Sequence, residues 1–220
     1  MVNLSYVIFT LFVISLSLML PVLEKKARLV VGFMIVGIVL CLAVSEINGM
    51  ILRVLHNDVY YVTTTLTPVT EEVFKALPVL YFAFFFSDDK KTLVMISFAV
   101  GVGFALMENT VILTQNLVNA TIYWALVRGF GSGLVHGICT VTVGYGISFV
   151  HKRRILFICG TFSLLSTAII YHATYNTLVQ SRFIDFGLLL PILTYIPFFI
   201  FLPRGKKITD KKRNRSAFGN

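Results

Sequence analysis

The stretch Thr67-Pro68-Val69-Thr70-Glu71-Glu72-Val73-Phe74-Lys75 runs straight into Ala76-Leu77-Pro78-Val79-Leu80-Tyr81-Phe82-Ala83-Phe84-Phe85-Phe86. A helix needs ~20 mostly apolar residues to cross a bilayer, and this run reads as one such helix. Two adjacent carboxylates and an ammonium at its head are costly in hydrocarbon, so they mark a functional site and call for partners elsewhere in the chain. Glu71 and Lys75 are four apart and Glu72 and Lys75 three apart, which puts them on one helix face. One lysine balances one carboxylate and leaves the other over. The plain alternative is an ion pair at a helix end whose charges snorkel to water. Thr67 suits an N-cap and Pro68 suits the first helical position, so the helix is expected to begin here, after an external loop from His56 to Leu66.

The rest of the chain has the same character. Of its 220 residues, 57% are hydrophobic and 13% charged, a balance that excludes an ordinary soluble domain. The expected fold class is all-α: a polytopic membrane protein of about seven spans, near 4–23, 29–50, 68–87, 92–114, 122–150, 155–179 and 184–203. The net charge of +9 does not indicate nucleic acid, because the basic residues fall in short clusters between apolar runs. Lys25, Lys26 and Arg28 follow the first span, and Lys90 and Lys91 the third. Lys152, Arg153 and Arg154 follow the fifth, and a basic tail over 204–220 follows the last. These loops and the tail hold fifteen of the 19 Lys and Arg, which orients the N-terminus outside and the C-terminus in the cytoplasm. One transmembrane domain, 1–203, and the tail, a lipid-facing anchor, make up the expected organisation. The first apolar run lacks a preceding basic flank and is not expected to be a cleaved signal. Cys41, Cys139 and Cys159 lie in apolar runs without metal spacing and read as small packing residues.

Other spans carry polar groups that the apolar pattern does not need. Glu108 ends the segment Ser97-Phe98-Ala99-Val100-Gly101-Val102-Gly103-Phe104-Ala105-Leu106-Met107-Glu108, and Gly101 and Ala105 share its face, so a neighbouring helix can come close beneath the carboxylate. Arg128, Ser132, His136 and Thr140 repeat every four residues as a polar stripe, beside the glycine ladder Gly129, Gly133 and Gly137, which is expected to pack against a partner helix. His172 and Asn176 are four apart on the sixth span. With the orientation taken from the basic loops, all these groups fall toward the outer side of the membrane. An ion pair of Glu108 with Arg128 or Lys75 is the plain alternative for that carboxylate.

Carboxylates and histidines in a partly dry cavity suit activation of water by a glutamate base, with imidazole and amide groups donating to a developing oxyanion. Amide hydrolysis is the natural reaction. No serine or cysteine stands in a persuasive nucleophile setting, and Ser132 is not aligned with His136 by spacing alone.

Glu71-Glu72-x-x-Lys75, Phe104-x-x-x-Glu108, His136 and His172-x-x-x-Asn176, in this order, resemble the motifs of the PrsW family of intramembrane proteases, relatives of the CAAX prenyl proteases and the bacteriocin-immunity-type membrane proteins. The resemblance covers roughly residues 67–180. Where the wider superfamily has histidine and arginine, this chain has Glu108 and Lys75, as the PrsW branch does. The resemblance implies a glutamate-dependent peptidase of the cell membrane. Glu71 would be the base with Glu108 beside it, Glu72 its neighbour in the site, His172 and Asn176 the oxyanion donors, and His136 an orienting or donating group. Lys75 and Arg128 would support them. The implied substrates are membrane-anchored proteins such as anti-sigma factors, cut near the outer membrane boundary.

The leading expectation requires no cofactor. A zinc peptidase is the first alternative, disfavoured because His136 and His172 lie on different spans and no His-Glu-x-x-His motif is present. A proton-coupled transporter or immunity protein is the second, since intramembrane Glu, His and Arg also mark proton paths, although no inverted repeat is evident.

Overall fold

The computed structural model describes residues 4–56, 58–117 and 120–201; the basic tail over 204–220 lies outside the described residues. The described residues form helices and no strand: α1 (Leu4–Met19), α2 (Lys25–Val54), the short α3 (Val59–Tyr61), α4 (Thr67–Phe85), α5 (Lys90–Gln115), α6 (Ile122–Ile147), α7 (Thr161–Val179) and α8 (Ile184–Phe201). Their long members coincide with the apolar runs of the sequence.

Among the described residues, four segments are long and apolar enough to cross a membrane: α2, α5, α6 and Leu156–Val179, which includes α7. The outward faces of the bundle are apolar as well. Leu11, Leu18, Phe85, Phe130, Ile170 and Leu193 are each more than half exposed. A helix that is hydrophobic all round suits lipid, not water. The chain is thus an all-α, multi-pass membrane protein. α4 spans 19 residues and is charged by Glu71, Glu72 and Lys75; α1 and α8 are shorter and apolar.

α5 is the central element and packs most extensively against α2 and α6. Small residues make this possible. A Cβ on Gly37 would strike the Val100 carbonyl, one on Gly103 the Met34 carbonyl, and one on Gly101 the His136 carbonyl. The expected close approach beneath Glu108 is therefore present, at Gly101 against α6. The ladder on α6 is used differently from expectation. Gly137 packs against the Phe98 ring, but Gly129 and Gly133 face open space. One apolar core joins α4, α5, α6 and α7 through Val79, Phe82, Ile96, Val100, Val135, Cys139 and Tyr175. A second joins α1, α2 and α5 through Ile38, Val44, Phe104 and Met107. Cys41 and Cys139 are buried, whereas Cys159 is exposed.

The entry to α4 departs from expectation. The helix does not begin at Thr67, and the segment before it is not a loop. Asp58 accepts a hydrogen bond from the Tyr61 N–H as the cap of α3. The chain then continues through a π-helical turn, Val62–Leu66, into α4. Proline has no N–H and its ring crowds the carbonyl four residues back, so a regular α-helix is not sustained across Pro68. The wider turn resolves that conflict without ending the helix. Glu71 consequently lies twelve residues, or ~18 Å at 1.5 Å per residue, beyond the start of the helical segment at Val59.

Candidate metal centre

α4 turns Glu71, Glu72, Lys75, Val79 and Phe82 inward on a single face. Lys75 has no exposure, so it does not snorkel. Its Nζ donates to Glu72 Oε1 at 2.6 Å and to His136 Nδ1 at 2.8 Å, and lies 3.9 Å from Glu71 Oε2. The Phe104 ring stands 4.7 Å from the ammonium. The lysine thus pairs with Glu72 and leaves Glu71 over, as the spacing allowed.

α7 delivers His172. Its Nδ1 donates to Glu72 Oε1 at 2.8 Å, and its Nε2 faces Glu71 Oε2 at 3.9 Å. α6 delivers His136, whose Nδ1 lies 3.8 Å from the same Glu71 oxygen. The two imidazoles meet edge to face with centroids 4.8 Å apart. Because Nδ1 of His136 accepts from Lys75, its Nε2 is the donor, and it donates to Glu108 Oε2 at 3.2 Å. Each histidine therefore has one nitrogen fixed by a carboxylate and the other turned toward Glu71.

Glu108 of α5 is the carboxylate with an open side, at 23% side-chain exposure against 5% for Glu71 and none for Glu72. Its Oε2 accepts from Ser132 at 3.0 Å and from Arg128 at 3.3 Å. Arg128 is further held by Nε donating to Asn109 Oδ1 at 2.9 Å. Ser132 and Asn109 are site residues that the sequence pattern alone does not mark. Their signals are the position of Ser132 on the stripe of Arg128 and His136, and of Asn109 directly after Glu108. Asn176 lies apart from this cluster in its contacts, its amide donating to the Thr63 carbonyl at 3.0 Å.

Two buried carboxylate oxygens of the centre, Glu71 Oε2 and Glu72 Oε2, are left without a donor. A buried carboxylate oxygen without a donor is costly unless a cation satisfies it. Glu71 Oε2 faces two imidazole nitrogens, and Glu71, His136 and His172 can offer ligand atoms that all lie within 4.8 Å of one another. Tetrahedral zinc with bonds of ~2.0–2.1 Å sets its ligands ~3.3 Å apart, so a His2Glu set would need about half an ångström of closure at the 3.8 and 3.9 Å contacts to Glu71, closure by up to ~1.5 Å between imidazole nitrogens now within 4.8 Å, and release of His136 Nδ1 by Lys75. The donor types, the orphaned Glu71 oxygen and the carboxylates behind each imidazole all fit a divalent metal.

A family model described as PrsW family intramembrane metalloprotease matches residues 25–202. The match covers most of the chain, and the chain belongs to this family of peptidases. No curated protein and no solved structure matches it.

The expectation of a cofactor-free site is thereby corrected. The family is one of metalloproteases, and Glu71, His136 and His172 form a group that can hold an ion. A zinc site does not need two histidines on one helix. Bundle packing instead brings one histidine each from α6 and α7 to a glutamate of α4.

Proposed function

We propose that the chain is an endopeptidase of the cell membrane whose metal is held by Glu71, His136 and His172, and that it cuts membrane-anchored proteins near the outer boundary of the bilayer. One observation carries this reading: the buried Glu71 Oε2, which has no hydrogen-bond donor, faces His172 Nε2 and the His136 Nδ1 edge that Lys75 now caps. A divalent ion there would supply Lewis-acid polarisation of a water and of the scissile carbonyl.

The chain's own groups do the rest. Glu72 and Glu108 each fix one imidazole by accepting its outward N–H. Glu108 is also the carboxylate with an open face, and it takes the proton from the attacking water. This assigns the base to Glu108 and the ligand role to Glu71, in place of the base role that the resemblance implied for Glu71. Arg128 and Ser132 hold the Glu108 carboxylate in place. Lys75 neutralises Glu72 and occupies the His136 lone pair until the imidazole turns to a ligand's task.

The basic loops support seven spans with the N-terminus outside, a single transmembrane domain over 1–203 and a cytoplasmic tail. Single-pass proteins of the anti-sigma-factor type, cut in the juxtamembrane segment outside, are the substrates this arrangement suits. Purified enzyme and a tagged single-pass substrate test the reading. Glu71→Gln, His136→Ala and His172→Ala should lose both metal and cleavage. Glu108→Gln should keep metal and lose at least ~100-fold in turnover, the lower range for general-base catalysis. Full cleavage after exhaustive chelation would sink the proposal.

A further inference from the structure

Pro68 leaves its mark upstream. In a regular helix the Thr63 carbonyl would accept from the Thr67 N–H. Here that N–H bonds the Val62 carbonyl, five residues back. The next donor that could serve Thr63 in a π-type bond is at position 68, and proline has no N–H. The helix therefore releases the Thr63 carbonyl. Asn176 Nδ2 donates to it at 3.0 Å. At the C-cap of α7, Gln180 Oε1 lies 3.1 Å from the Thr63 hydroxyl, whose shorter contact is to the Val59 carbonyl at 2.8 Å. Asn176 and Gln180 thus meet a single residue of the π-turn.

We infer that Asn176 is a positioning residue: by capping the carbonyl that Pro68 frees, it holds the π-turn and so sets the rotation of α4 and the aim of Glu71. A π-turn adds one residue to a helix, which rotates everything downstream by ~100° relative to a regular α-helix. Upstream, Val62 and Thr64 are buried; downstream, so are Pro68, Glu71, Glu72 and Lys75. Loss of the extra residue would swing Glu71 toward the flank of α4 or turn the buried Val62 and Thr64 out of their places. α7 then acts on the centre twice. His172 faces Glu71 directly, and Asn176, one turn on, governs the direction from which Glu71 arrives. The functional consequence rests on the ligand role proposed for Glu71, whereas the capping role does not.

Amide hydrogen exchange over residues 60–70 and Co2+ binding, both on the full chain in detergent, separate the two. Asn176→Ala and the isosteric non-donor Asn176→Asp should speed exchange in this segment at least ~10-fold by lowering its local opening energy. Both should weaken Co2+ binding by ~10-fold or more, as loss of a ligand-orienting contact does. In a Pro68→Ala background, the restored N–H at 68 supplies the carbonyl from within the helix. There, adding Asn176→Ala should change neither readout. An amide that acts on substrate gives no such rescue by a change on another helix. If Asn176→Ala does not fold, the double variant is expected to fold, and failure of both overturns the inference. Unchanged exchange in Asn176→Ala and Asn176→Asp also overturns it, as does an equal loss with and without Pro68→Ala. Exchange that responds while Co2+ binding survives even Glu71→Gln supports the capping role and overturns only the ligand reading.

Discussion

Glu72 Oε1 receives two donors, the Lys75 ammonium and the His172 ring N–H, at 2.6 and 2.8 Å. It lies outside the ligand set proposed above, and it holds the His172 ring whose other nitrogen faces Glu71. Glu72→Gln is therefore expected to lower metal affinity by ~10–100-fold although Glu72 is not itself a ligand, measured by competition with a chromogenic chelator. Lys75 poses the complementary case. Lys75→Met leaves the buried Glu72 carboxylate without its cation, a loss of the kind that costs ~3–5 kcal/mol. The same change frees the His136 lone pair. The chelated variant should melt well below the chelated wild type, and added Zn2+ should raise its melting temperature by more than it raises that of the wild type. A melt that is unaffected by the substitution would contradict the burial of this pair. Sequence spacing already indicated that Lys75 serves one glutamate and leaves one over. Which glutamate, and that the lysine also meets His136, follows from the side chains of a different helix.

At the scale of elements, close helix contact decides where Glu108 and His136 meet. A Cβ on Gly101 would run into the His136 carbonyl, and backbone cannot yield as a flexible side chain can. Gly101→Ala should cost ~1–3 kcal/mol or more in an unfolding titration, the range for overpacking, and should lower activity by parting α5 from α6. Gly133→Ala meets nothing within 4 Å and should be neutral or stabilising by up to ~1 kcal/mol through helix propensity. Equal losses at both positions would contradict the packing described. The glycine periodicity on α6 was visible in the sequence and pointed to a packing groove there, yet the tight contacts are made by Gly37, Gly101 and Gly103 on α2 and α5. Periodicity locates a small-residue face but does not say which face finds a partner. The π-turn is a similar case. Proline is favoured at a helix start, which is what Pro68 predicts, and the capped segment upstream makes it an interior residue instead.

For the whole molecule, charge and packing address different questions. Lys152 bonds the Asp88 carbonyl, and Lys90 lies over the Tyr145 ring, so the α4–α5 and α6–α7 connections share one end of the bundle. The basic clusters in those connections support a cytoplasmic location for that end. Single cysteines introduced at Ser87 and Asn116, in a background without Cys41, Cys139 and Cys159, should be labelled from opposite sides of intact cells by a membrane-impermeant maleimide. Ser87→Cys should react only after permeabilisation. Labelling of both from outside would refute the alternating topology.

The class of the molecule and the identity of its unusual residues are legible along the chain without any tertiary contact. Hydropathy is a sum over local side chains, so the apolar helices and their limits were readable within a few residues. An ionisable group in such a helix is conspicuous without any knowledge of neighbours, so Glu71, Glu72, Lys75, Glu108, Arg128, His136 and His172 stood out in the chain. What they form together was decided only by the tertiary structure. Ligand sets depend on distances between side chains of separate helices, and helix rotation and crossing set those distances. No spacing in one dimension could show that Glu71 faces His136 and His172 with an oxygen unpaired, or that Asn176 reaches back to the carbonyl freed by Pro68.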